Sequence, residues 1–220
     1  MSVGLSEAKD DYIIFNGKTY SIIQNPLEYY FDKYPQKKPG IKTYWSDDLQ
    51  EEFDIKGYVA TFEIVSNELL LNDIEIMNKE SIFGGSNADR ISVKEEFLGE
   101  NKIFKIDWFT GLLIVPDGKE MCQKLTAGSS RFEKYMVFEI DKGLVIKYVN
   151  INNEEFRDLK SKNLERFKET DHYKNIIKTN KKCIEEYKNA IGGKLNVKDL
   201  IDEIDKSLFY HFDYYMLKLD

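Results

Sequence analysis

The 220-residue chain has only two cysteines, Cys122 and Cys183, and two histidines, His172 and His211. A structural zinc wants four closely spaced Cys or His ligands in pairs, so these scattered residues exclude one, and the cysteines are expected as reduced thiols. Proline is scarce, at four residues, while aromatic residues reach 14% and apolar residues 42%. Disordered chains lack that aromatic content, so the composition predicts a folded globular protein. No run approaches the ~18 apolar residues of a membrane-crossing helix. Met1 to Asp11 lacks the basic start and apolar stretch of a secretion signal, so a cytoplasmic protein with no membrane partner is expected. Positive charge is also in deficit, with 32 Lys and Arg against 39 Asp and Glu, a net charge of −7. A field of that sign repels phosphate, and beyond Lys37-Lys38 and Lys181-Lys182 there is no basic stripe, which argues against a nucleic-acid partner. No residue pattern calls for a cofactor or a metal.

What is present is strongly patterned. Tyr12 to Phe15 and Thr19 to Ile23 flank Asn16-Gly17, a pair that supplies the positive φ angles of a tight hairpin turn. After Asn25-Pro26, the spacing of Leu27, Tyr30, Phe31 and Tyr34 predicts a short helix closed by Pro35 and Pro39. Gly57 to Val65 alternates, with Tyr58, Ala60, Phe62 and Ile64 on one side. Glu68 to Ile76 alternates too, Leu69, Leu71, Asp73 and Glu75 against Leu70, Asn72, Ile74 and Ile76, so Ser66-Asn67 reads as a second hairpin turn. Residues 78 to 101 read as a polar loop. Ile103 to Trp108 and Leu112 to Val115 read as strands around Thr110-Gly111, with Pro116-Asp117-Gly118 as a turn. Phe132 to Ile140 and Leu144 to Ile151 form a third hairpin around Asp141-Lys142-Gly143.

Beyond Asn153 the apolar period lengthens to three and four. Phe156, Leu159, Leu164 and Phe167 lead into Tyr173, Ile176, Ile177, Ile184, Tyr187 and Ile191, with Thr170-Asp171 as a helix start and Gly192-Gly193 as a stop. A last helix is expected from Asn196 to Leu219. Helices with one apolar face must cover something, so the expectation is one α+β domain over residues 1–220. Its first part, 1–153, is mainly β, an antiparallel sheet or partly open barrel over about 11–151, and its helical extension, 154–220, packs on that sheet. The whole negative excess lies in 1–153, since 154–220 holds 14 basic and 14 acidic residues.

Two motifs carry a resemblance. Gly57-Tyr58-Val59-Ala60-Thr61-Phe62-Glu63-Ile64 follows Tyr44-Trp45-Ser46, and Trp108-Phe109-Thr110-Gly111-Leu112 runs on to Pro116-Asp117-Gly118. In this order they resemble a group of uncharacterised bacterial proteins with a G-Y-V-A-x-F/W-E-I strand and a W-F-T/S-G-x-L-x-x-P-x-G motif. The resemblance covers about residues 12 to 151 and departs at Asp47 to Lys56, where this chain is acidic. It implies a bacterial origin, a shared β fold and the neighbourhood of toxin and immunity systems, and it carries over no catalytic residue.

Several sites are candidates. Asp47, Asp48, Glu51, Glu52 and Asp54 put five carboxylates and no base into one short stretch. Such a patch either docks a basic protein partner, a toxin for instance, or is simply a solvated loop or helix start. Asp107, Trp108 and Thr110, with Glu133 or Glu63 as a second carboxylate, would line a pocket for a sugar or a base, or else serve as core and turn residues. Gly84-Gly85-Ser86-Asn87 lacks the Gly-Lys-Ser/Thr ending of a phosphate loop, and Gly128-Ser129-Ser130-Arg131 lacks the second glycine of a nucleophile elbow. The aromatic tail Phe209 to Tyr215 reads either as an interface or as a helix buried on two sides. The leading expectation is a non-enzymatic bacterial interaction protein of the immunity type, binding a cognate toxin through its acidic surface. The alternative is a small enzyme acting on a sugar or nucleotide at Asp107, Trp108, Thr110 and Glu133.

Overall fold

The computed structural model describes residues 10–39, 58–77, 90–98, 104–122 and 131–191, together with 201–202, 204–205, 208–209 and 218–219. Among these residues the fold is α+β, a mostly antiparallel open sheet accompanied by helices, as the patterning predicts. In chain order the strands are β1 (Asp11–Phe15), β2 (Lys18–Ile22), β3 (Tyr58–Val65), β4 (Glu68–Met77), β5 (Arg90–Ser92), β6 (Phe104–Lys105), β7 (Gly111–Cys122), β8 (Arg131–Asp141) and β9 (Leu144–Asn152). The helices are α1 (Pro26–Lys33), a 3-10 turn (Pro35–Lys37), α2 (Lys94–Leu98), α3 (Asn153–Lys168) and α4 (Asp171–Ile191). The sheet runs β2-β1-β3-β4-β9-β8-β7, with β5 and β6 also on β4, and β1 pairs with β3 in parallel.

Three hairpins close where the sequence places them. Asn16 and Gly17, Ser66 and Asn67, and Lys142 and Gly143 all have positive φ, the requirement of a type I′ turn whose twist matches the flanking strands. Elsewhere the expectation shifts. Between Thr61 and Phe62 the register against β4 slips by one, so that Thr61 pairs with Asp73, Phe62 pairs with Leu71, and Asn72 is the extra residue. This bulge switches parity, and Leu69, Leu71 and Ile74 are the buried residues of β4 rather than one alternating set.

Pro116-Asp117-Gly118 is not a turn. Strand β7 continues through it to Cys122, because Gly118 takes φ +79 within the strand and the Glu133 carboxylate on β8 accepts the Lys119 N–H at 3.2 Å. Proline is tolerated there since β7 ends the strand order. Ile103 to Trp108 yields only the two-residue β6, which pairs with β4, and the expected loop at 78–101 contains β5 and α2. The outermost strands β2 and β7 are tied at one point. Ile23 N–H donates to the Ile114 carbonyl at 3.1 Å, and the buried Gln24 side-chain oxygen accepts the Ile114 N–H at 2.8 Å.

The chain groups into two compact units. The first, Met1–Pro116 with Phe138–Tyr148, has a core of Ile13, Phe62, Leu69, Ile74, Ile106, Phe138 and the four consecutive residues Leu112 to Val115. The second, Asp117–Val137 with Val149–Asp220, buries Tyr135, Phe156, Leu159, Leu164, Phe167, Tyr173 and Leu208, with the Tyr135 and Phe156 rings stacked 4.0 Å apart. Helix α3 begins at a complete capping box, in which Asn152 accepts from the Glu154 and Glu155 N–H groups and Glu155 accepts from Asn152 N–H. Thr170 opens α4 as expected, its hydroxyl accepting from Tyr173 N–H at 3.2 Å.

The two turn glycines should respond differently to alanine. A Cβ on Gly17 meets nothing within 4 Å, so only the left-handed backbone opposes it, at about 1 kcal/mol. A Cβ on Gly143 would lie 2.6 Å from the Ile106 carbonyl oxygen, so Gly143→Ala should cost well over about 2 kcal/mol. Urea midpoints of the two variants check this ordering.

Candidate functional site

The local geometry that bears on function is built around the first turn of α1. Asn25-Pro26 starts this helix, with proline at its first position, and Leu27, Tyr30 and Phe31 fasten it to the core of the first unit. That leaves Glu28 on the first turn. One carboxylate oxygen accepts the Tyr58 hydroxyl at 2.7 Å and the other accepts the Lys38 ammonium at 2.8 Å. Lys38 follows the 3-10 turn and Tyr58 opens β3, so these two residues, far apart in sequence, meet at one carboxylate. Asp11, fully buried, also holds the first residues of β3, accepting the Ala60 N–H at 2.7 Å. Burial, then the Asp11 and Glu28 carboxylates, hold the Tyr58 phenol far above its ordinary pKa, so it is a permanent donor and no base. Lys37 donates to the Tyr30 hydroxyl at 2.8 Å and lies over the Tyr30 and Tyr34 rings, and the hydrogen bond raises its pKa.

The acidic residues Asp47, Asp48, Glu51, Glu52 and Asp54 belong to the segment between those two anchor points and lie outside the described residues. The residues of the alternative pocket are described, and each has a local task. Trp108 sits in an aromatic cluster, 4.6 Å from Tyr30 and 5.2 Å from Phe104, and its ring N–H donates to the Pro26 carbonyl at 3.1 Å. The Thr110 hydroxyl accepts Lys142 N–H at 3.0 Å. Asp107 is exposed in the turn after β6. Glu133 belongs to the second unit, where its carboxylate holds Lys119 N–H beside Gly118, while Glu63 is half-buried on β3 in the first.

The second unit has two polar sites on its helices. Asp205 accepts the Lys168 ammonium and the Tyr173 hydroxyl, at 2.8 and 2.7 Å, and Lys168 also reaches Glu165 at 2.8 Å. Burial works against the Lys168 charge, yet these hydrogen bonds raise its pKa, while burial and Asp205 push Tyr173 up to about 12. Lys160 is 9% exposed, with its ammonium 4.3 Å from the centre of the Phe209 ring and 5.3 Å from that of Phe156. Burial first, then the Arg131 and Arg157 charges, bring its pKa down to about 8.

The remaining candidates contribute little. His172 is exposed on α4 beside Phe167, Cys122 ends β7 and Cys183 lies on α4. Gly84 to Asn87, Gly128 to Ser130, His211 and most of the aromatic tail lie outside the described residues. Among the described residues no group of His, Cys, Asp or Glu could hold a metal ion, and no helix is long and apolar enough to cross a membrane. No protein-family model, no curated protein and no solved structure matches the chain.

Sequence reasoning did not find Glu28, Asp11 or Lys160. The first two depend on contacts across tens of residues and on the parallel β1–β3 pairing, which no local period encodes. Lys160 was legible in part, because it follows Phe156 by four residues and precedes Phe167 by seven, on the apolar stripe of α3.

Two measurements test these assignments. Glu28→Ala removes the acceptor of a buried hydroxyl and should cost about 1–3 kcal/mol, whereas Lys38→Met removes only an ion pair about one-third exposed and should cost under about 1 kcal/mol in urea unfolding. Since the folded pKa of Lys160 lies below its unfolded value, the unfolded chain binds more protons between about pH 8 and 10.5. Wild type should therefore gain stability relative to Lys160→Met as pH rises through that window, which urea unfolding of the two chains at about pH 7.5 and about pH 10.5 checks.

Proposed function

We propose that this protein is a non-enzymatic bacterial interaction protein of the immunity type, acting in the cytoplasm. It binds and neutralises a cognate basic toxin through Asp47, Asp48, Glu51, Glu52 and Asp54. The observation that carries this reading is the double anchorage on Glu28, because the two residues bracketing the acidic segment are fixed to one carboxylate. A segment anchored at both ends loses less freedom on binding than a tethered tail, which favours affinity. Two further features support it. The negative excess is confined to residues 1–153, and the resemblance of the two motifs to the bacterial group implies the neighbourhood of toxin and immunity systems. Tyr29, next to Glu28 and 49% exposed, is an aromatic of the kind that anchors protein contacts.

In this mechanism the carboxylates steer a Lys- and Arg-rich surface into place and pair with it, covering the toxin's working face without any reaction. The enzyme reading draws no support from Asp107, Trp108, Thr110 and Glu133. The polar groups of the last three already hold Pro26, Lys142 and Lys119 in place, and the four divide between two units.

The experiment is capture from the native host with the full chain, alongside a variant carrying Asp47→Asn, Asp48→Asn, Glu51→Gln, Glu52→Gln and Asp54→Asn. Wild type should recover a basic protein, and the variant should bind it about tenfold or more weakly at physiological salt. Recovery of no basic partner, or equal binding by the two chains, would overturn the proposal.

A further inference from the structure

Strands β2 and β7 end the strand order, and they treat their outer edges differently. The edge of β7 carries devices that keep a strand from pairing further. Pro116 lacks an N–H, Gly118 leaves the extended region at φ +79, and the exposed Lys119 and Glu120 add charge. Strand β2, Lys18-Thr19-Tyr20-Ser21-Ile22, keeps an unbroken register with β1, and its single charge, Lys18, stands at the hairpin end. That register fixes which groups face outward. The two-residue turn at Asn16-Gly17 makes Phe15 and Lys18 a hydrogen-bonded pair, so Lys18, Tyr20 and Ile22 turn their backbone groups to β1, and Thr19 and Ser21 turn theirs away. Ile23 shares the parity of Thr19 and Ser21, and its N–H does point outward, to the Ile114 carbonyl. Among the described residues no strand pairs with the edge formed by Thr19 and Ser21.

From this edge we propose that β2 pairs with the β2 of a second copy of this chain, antiparallel about a two-fold axis at Tyr20. In that register Thr19 of each copy faces Ser21 of the other as a hydrogen-bonded pair, so every outward N–H and C=O of the two residues gains a partner. Tyr20 meets its own counterpart at the non-hydrogen-bonded position, where side chains approach most closely, and Lys18 lies opposite Ile22 rather than another lysine. Thr–Ser and aromatic pairs are both favourable cross-strand neighbours, so the edge is complementary to itself. Neighbouring axes do not serve. One at Thr19 would set Ser21 against Gly17, a turn residue, and one at Ser21 would set Thr19 against Ile23, whose N–H is already given to Ile114. Charge agrees with a second copy as the occupant, because β2 holds no acid and the chain's net −7 is therefore not concentrated at the contact. A contact of one five-residue strand is small, which puts the association in the weak, reversible class.

The test is sedimentation equilibrium of the full chain from micromolar to near-millimolar concentration, beside two charged variants, Thr19→Lys with Ser21→Lys and Thr19→Glu with Ser21→Glu, each first checked for native circular dichroism. Wild type should approach twice the chain's 25.9 kDa as concentration rises. Each charged variant alone sets like charges opposite one another and should associate at least about tenfold more weakly, while an equal mixture of the two should pair again. Should the charged variants fail to fold, photo-oxidative cross-linking of wild type decides, with dityrosine expected between the Tyr20 rings of two copies. A monomer throughout the range, a dimer indifferent to both charged variants, a mixture that stays monomeric, or dityrosine formed only at other tyrosines would overturn the proposal.

Discussion

Glu28 joins the start of β3 to the residue that follows the 3-10 turn, and the functional reading depends on that one carboxylate. Its two oxygens face different demands. Toward Tyr58 it satisfies a hydroxyl buried to 4% exposure, where an unmet hydrogen bond is costly. Toward Lys38 it makes an ion pair about one-third exposed, where water competes and the net gain is small. The buried contact therefore fixes the geometry, and the exposed one adds Lys38 to it. Helix α1 can present the carboxylate there because Leu27, Tyr30 and Phe31 hold its other face in the core.

Much of the surrounding fold follows from chemistry visible along the chain. Asn16-Gly17 and Lys142-Gly143 tolerate left-handed backbone, and Ser66-Asn67 adopts it too, so three hairpins form where local turn preference and alternating strands agree. The capping residues of the helical part are equally local, with Asn152 and Thr170 each satisfying the first amides of the helix that follows. Misreadings arose where a partner strand overruled a local preference. Pro116-Asp117-Gly118 has every mark of a turn, yet β7 passes through it because Glu133 on β8 takes up the Lys119 amide and Gly118 absorbs the distortion. The bulge opposite Thr61 and Phe62 likewise reverses which side of β4 is buried, and no periodicity in the sequence announces it.

The candidate site was legible in composition and not in placement. Five carboxylates in a row of eight residues are plain to see, whereas the contacts that bring Lys38 and Tyr58 to the same group span ten and thirty residues. Trp108 illustrates the opposite case. Its motif suggested a ligand platform, and its ring N–H, its ring neighbours and the adjoining Thr110 hydroxyl are all engaged within the first unit. Polar residues on the buried side of α3, Lys160 and Asn163, show that an apolar stripe with charged or amide interruptions is worth reading as a site. Asn163 spends its side-chain amide on Leu159 and on both backbone groups of Lys218.

The central claim is that a negatively charged face does the work, and it is tested most directly by the salt dependence of association between the full chain and the basic protein captured from its host. The screening length falls from about 10 Å at 0.1 M salt to about 3 Å at 1 M. If carboxylates steer the encounter, the association rate should drop steeply across that range while the dissociation rate changes far less. An association rate indifferent to salt would contradict the account.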